Sequence, residues 1–124
     1  NPPAEDAPAE KTESVIDRAK AIEMLGGDED LFKSLAAQFV SLYGDSAGQF
    51  TQSHDDRDFA ALNLRAHSLK GAAGAVGATR LAAASAKLET LAAQKDEAEV
   101  AGQFPVFLHD LQRALAELER EANG

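Results

Sequence analysis

At 124 residues and 44% hydrophobic content, the chain can bury one core without metal or disulfide staples, so a single small domain is expected. A formal net charge of −9 is the wrong sign for neutralising nucleic-acid phosphates, and no apolar run approaches the roughly 20 residues of a membrane span. The absence of cysteine excludes disulfides, a zinc ribbon and a thiol nucleophile, and it suits the cytoplasm.

Alanine and leucine are abundant, valine and isoleucine scarce, and Tyr43 is the single tyrosine, a composition that predicts an all-α fold. Residues 1–13 open with Asn1-Pro2-Pro3-Ala4-Glu5-Asp6-Ala7-Pro8, rich in proline and acid with little to bury; they read as a flexible linker cut from a longer protein. The folded domain is expected over residues 14–122. Ser14 with Asp17 three residues later resembles a capping box for a short first helix carrying Ile16, Ala19, Ile22 and Met24, stopped at Gly26-Gly27. Asp28 caps a long second helix with the stripe Leu31, Leu35, Phe39 and Leu42, weakened and bent at Gly44 and Gly48 on its way to Phe50.

Asp55 and Asp56 can cap a third helix, whose apolar positions Phe59, Leu62, Ala66, Leu69, Ala73 and Val76 alternate steps of three and four until Gly77 ends it. Thr79 can cap a fourth, with Leu81, Ser85, Leu88 and Leu91 or Ala92 on its stripe, closing near Lys95. Asp96 starts the last, striped by Phe104, Leu108, Leu111, Leu115 and Leu118, with Pro105 predicted to kink it or mark its first turn. Short connections imply antiparallel neighbours, hence an antiparallel four-helix bundle capped by the short first helix. Met24 and the phenylalanines are assigned to the core.

On a helical wheel His67 stands roughly 130° from the centre of the third helix's apolar stripe, facing solvent. Asn63, Lys70, Gly71 and Gly74 share that flank, which therefore carries one cation and otherwise little bulk. Each glycine costs about 1 kcal/mol relative to alanine inside a helix, which calls for a reason such as close approach by another molecule, or close helix packing at Gly74. Phosphoryl transfer fits: a neutral imidazole attacks phosphorus, and catalysis is mostly positioning and charge neutralisation. Histidine, with an unperturbed pKa of about 6.5, suits this. Lys70 would face the phosphoryl oxygens, Gly71 would let them approach, and an acid of the next helix, Glu89, would orient the imidazole.

The run Ala66-His67-Ser68-Leu69-Lys70-Gly71-Ala72-Ala73-Gly74-Ala75-Val76-Gly77-Ala78, with Leu81 and Leu88-Glu89, resembles the histidine-containing phosphotransfer domain. Leu25-Gly26-Gly27-Asp28-Glu29-Asp30-Leu31-Phe32 and Phe39 extend the resemblance, from about Ser14 to Leu118. His67, Lys70 and Gly71 match the family's His-x-x-Lys-Gly motif. The resemblance implies that His67 accepts a phosphoryl group from the aspartate of one receiver domain and passes it to another. It also implies that Glu89 stands beside the ring and that the chain is either the C-terminal module of a hybrid sensor histidine kinase, tethered to a membrane-bound sensor, or one of the family's free-standing members. Asn63, Ser68 and Gly74 are the expected docking residues. No intrinsic cofactor is expected, magnesium coming with the receiver, and the domain is expected to be a monomeric phosphocarrier rather than an enzyme. A second basic residue near the site stays unassigned between Arg80 and Lys87.

Two other functions remain open: a kinase's own phosphorylation-site domain, labelled from ATP, and a helical adaptor that docks without being phosphorylated. A metal site at His54, Asp55 and Asp56 is not expected, since no histidines pair one turn apart. The Gly71–Gly77 run is no nucleotide loop, because it follows a helix and its lysine precedes the glycines.

Overall fold

The computed structural model describes residues 14–124; the linker expected over residues 1–13 lies outside them. Among the described residues the chain forms six helices and no strand: α1 Arg18–Met24, α2 Glu29–Tyr43, α3 Ser46–Asp55, α4 Phe59–Ala75, α5 Thr79–Ala93 and α6 Glu97–Asn123.

Short acidic caps set most of the starts. Asp17, Asp28, Asp58 and Asp96 each accept a hydrogen bond from the backbone N–H three residues on, at 3.0–3.1 Å, satisfying one of the first turn's free donors. Three expected starts are thereby corrected. Asp17 is itself the first cap, and Ser14 turns instead to α6. Asp55 closes α3 and Asp56 follows it, the chain reverses at Arg57 with φ 53°, and Asp58 does the capping. Thr79 is already helical; Ala78 precedes it with no side-chain cap, the turn being held by Ala78 N–H to Ala73 O at 2.9 Å.

The long second helix is in fact two. α2 ends at Tyr43, whose carbonyl accepts the Ser46 hydroxyl at 2.7 Å, and α3 starts anew behind Asp45. Its buried face keeps Phe39, and in part Leu35, of the expected stripe but not Leu31 and Leu42. Phe32, Ala36 and Phe39 enter the core, while Leu31 and Leu42 face out, because the larger Phe32 wins the interior. Met24 likewise lies exposed at the end of α1 rather than in the core. The stripe of α4 matches closely: Leu62, Ala66, Leu69, Ala73 and Val76 are all buried. Pro105 sits within α6, beyond its first turn. Both Pro105 and Ala101, whose carbonyl loses its helical partner, lie on the exposed side.

The core joins all six helices, with α4 packed most extensively on α5, and α6 touching α2, α3 and α5. At one end, the segment before α1 ties three elements together. Asp17 N–H donates to Gly77 O at 2.7 Å in the α4–α5 turn, and Ser14 and the Val15 N–H both donate to Glu117 near the end of α6. Arg18 reaches Glu121 at 2.9 Å and Glu29 at 3.0 Å, its guanidinium 5.7 Å from the centre of the Phe32 ring. At the other end Arg57 pairs with Glu97, and His54 stacks on Phe104 with ring centres 4.3 Å apart.

Candidate functional site

Because α4 buries one face so completely, the residues opposite are held rigidly outward. His67 is among them, its side chain 63% exposed. At 100° per residue, Asn63 and Lys70 fall about 40° and 60° to one side of it, and Gly71 and Leu64 about 40° and 60° to the other. The imidazole therefore stands on a ridge between two different surfaces.

One surface is polar and faces α5. Glu89, only 20% exposed, receives His67 Nδ1 on Oε2 at 2.7 Å and Lys70 Nζ on Oε1 at 2.8 Å. Both carboxylate oxygens are thus engaged by residues of the facing helix. The Lys70 hydrogen bond first, and the His67 hydrogen bond second, hold the Glu89 carboxyl below its ordinary pKa against the opposing effect of burial. An ionised carboxylate only accepts, so Nδ1 is the donor to it, and in the neutral ring that arrangement leaves the lone pair on Nε2. Asn63, half-buried one turn before His67, donates Nδ2 to the backbone carbonyl of Glu89 at 2.8 Å.

The other surface is apolar. Leu64, 66% exposed, and Leu42, 75% exposed, edge a groove of about 360 Å³ whose lining includes Tyr43, Phe50, Ala61 and Ser68. Arg65 spans part of it to Gln49 at 3.0 Å. Gly71 and Gly74 lie on the ridge itself, and a Cβ on either would meet nothing within 4 Å. Gly74 therefore serves no close helix packing.

His67, Lys70, Gly71 and Glu89 are brought together, with Asn63 and Gly74 beside them and Ser68 on the groove side. Arg80, one of the two candidates for a further basic residue, lies instead by Ser14 and Asp17 at the α1 end. The groove residues Leu42, Tyr43 and Leu64 escaped sequence reasoning. Leu64 carries a readable signal, an apolar side chain off its helix's stripe; Leu42 does not, since by spacing it continues the stripe of Leu35 and Phe39, both of which pack on the core. Among the described residues, no three His, Asp or Glu side chains gather so as to hold a metal ion.

A family model described as Hpt domain matches residues 29–121, three-quarters of the chain. The chain belongs to the Hpt domain family. Membership implies histidine-containing phosphotransfer in two-component signalling, through partnership with receiver domains, by a phosphocarrier module. No curated protein and no solved structure matches the chain. The Hpt match leaves α1 outside, although α1 and the residues before it are bonded to α2, α6 and the α4–α5 turn. No helix among the described residues is long and apolar enough to cross a membrane.

Proposed function

We propose that this Hpt domain is a phosphorelay intermediate in which Nε2 of His67 takes a phosphoryl group from a receiver's phospho-aspartate and passes it to a second receiver. The observation that carries the reading is the His67–Glu89–Lys70 arrangement on an exposed ridge. In the accepting step the Nε2 lone pair forms the bond to phosphorus, the bond from phosphorus to the aspartyl oxygen breaks, and the aspartate leaves as a free carboxylate. The ring becomes positive as its lone pair is committed, and Glu89 faces that charge across 2.7 Å. Lys70 stands one turn away to neutralise phosphoryl oxygens, and the open space over Gly71 gives them room. The return step is the reverse, with a second aspartate as nucleophile. Magnesium arrives with the receiver.

The receiver docks on the groove side of the ridge, against Leu42, Leu64 and Ser68. An apolar contact suits an acidic domain, because net charge offers no general attraction to an acidic partner. The architecture behind this is an antiparallel four-helix bundle. Hydrogen bonds and ion pairs gather the start of α2, the end of α4 and the end of α6 at the α1 end, and the start of α6 meets the α3–α4 turn at the other. The domain spans residues 14–122 behind a linker, as a monomeric phosphocarrier in the cytoplasm. Its parent is a hybrid sensor kinase, a reading supported by the linker composition of residues 1–13.

The test is transfer from a panel of phosphorylated receiver domains, read as acid-labile phosphate at His67. His67→Gln should abolish it, and undiminished phosphoryl flow through that variant would overturn the reading. Lys70→Ala should slow transfer by about tenfold or more while helical content by circular dichroism stays unchanged.

A further inference from the structure

We infer that Asn63 is a positioning residue, which holds Glu89 in the register that keeps the His67 proton on Nδ1; the inference rests on the phosphotransfer reading for its consequence, though not for its geometry. Asn63, His67 and Lys70 occupy one strip of α4 and all three are bonded to Glu89, two at its carboxylate and Asn63 at its backbone. A carbonyl oxygen can only accept, so the amide nitrogen of Asn63 must face it, and the orientation of the side chain is decided.

A glutamate has three rotatable side-chain bonds, and where its carboxylate stops depends on where its backbone is held. The 2.8 Å bond from Asn63 fixes that starting point against α4, one turn from the imidazole. The two carboxylate bonds then select a single rotamer from below and above. Without Asn63, α5 keeps its packing through Leu81, Ser85, Leu88 and Ala92, so the helix pair survives while the Glu89 backbone loses its tether to α4. The Glu89 carbonyl has two lone pairs and a helical partner of its own, so removing Asn63 leaves no buried acceptor stranded. The bond is therefore dispensable for folding, and its effect falls on the geometry of the ring.

Imidazole ¹⁵N NMR of the unphosphorylated domain separates this role from a structural one. In the parent protein the ring should carry its proton on Nδ1. Asn63→Leu, which keeps the bulk and removes the donor, should lower the Nδ1–H to Nε2–H ratio about three- to tenfold, the worth of one hydrogen bond. Asn63→Ala should do the same, and it serves if the leucine misfits. Leu62→Ala, a core truncation next door, should lower the melting temperature and leave the ratio alone. Phosphorylation of His67 from a receiver should slow in Asn63→Leu by the same factor.

A parent-like ratio in both Asn63 variants overturns the inference. Slower transfer with an unchanged ratio would also overturn it, since Asn63 would then act in docking. So would a parent ring without preference for the Nδ1 proton. If the parent instead took no phosphoryl group from any receiver, yet the ratio shifted in the variants, the proposed function would fail and the hold of Asn63 on Glu89 would stand.

Discussion

At the scale of single residues, the site combines a group held tightly with a space left empty. Glu89 is the held group. Its pKa is depressed in the folded state, so its ionised form favours folding above the unfolded glutamate value of about 4.3, and that contribution is lost as pH falls through the lowered folded value. The bridges to Lys70 and His67 should therefore persist through mildly acidic solution and break only in stronger acid. Carboxyl ¹³C titration of Glu89 checks this, and a midpoint at or above the ordinary value would contradict it. Gly71 supplies the empty space. Gly71→Ala should stabilise the domain by about 1 kcal/mol, because the helix gains a better former and the new methyl meets nothing. The same methyl should slow phosphoryl uptake at His67. A destabilised Gly71→Ala in urea unfolding would show that the surface is not open.

At the scale of elements, turns decide more than stripes do. Gly77, at φ 76°, ends α4 and brings its carbonyl to Asp17. A Cβ there would stand 2.6 Å from the Asp17 carbonyl oxygen and 3.1 Å from Ala21 Cβ, so α1 would have to move. Gly77→Ala should cost about 1–3 kcal/mol, read from the urea midpoint, with the ¹⁵N signature of His67 retained because α1 docks at the end of α4 rather than along it. An unchanged midpoint would mean that α1 is not seated on this turn. The end of α4 at Gly77 was legible, as were the cap at Asp28 and the whole buried face of α4, where alanine and leucine alternate without competition. The break between α2 and α3 and the phase of α2 were not. Residues 31–43 offer two overlapping stripes that share Phe39, one through Leu31, Leu35, Phe39 and Leu42 and one through Phe32, Ala36 and Phe39, and the choice depends on which fills the space left by the other helices.

At the scale of the whole molecule, the core tolerates one buried acid among the described residues. Asp110 on α6 is 8% exposed, and burial raises its pKa against the opposing pull of Arg80, His109 and Arg113. A raised acid favours the fold below its unfolded value of about 3.9, and that advantage disappears as pH rises through the folded value. Asp110→Asn should therefore melt at a higher temperature than the parent near pH 7, with the gap closing towards about pH 3. An asparagine variant no more stable at neutral pH would contradict this. Because Asp110 lies on α6, which contributes no side chain to the His67–Glu89–Lys70 arrangement, the substitution should leave transfer through His67 intact.

By itself the sequence determined the helical class, the buried stripe of α4 from Leu62 to Ala73, and the neighbourhood of His67, Lys70 and Gly71. These are local matters: propensity and a period of 3.6 place residues on one helix without reference to any other. Glu89 could be named as a candidate from the sequence, but only tertiary structure put both its oxygens in use, because the meeting of two helices depends on how both are buried. The same packing left Leu42 and Leu64 outside, beside the histidine, and turned Asn63 towards α5. His67 was placed on an exposed face by its own helix; the polar clamp on one side of it and the apolar groove on the other were decided by the neighbours of that helix.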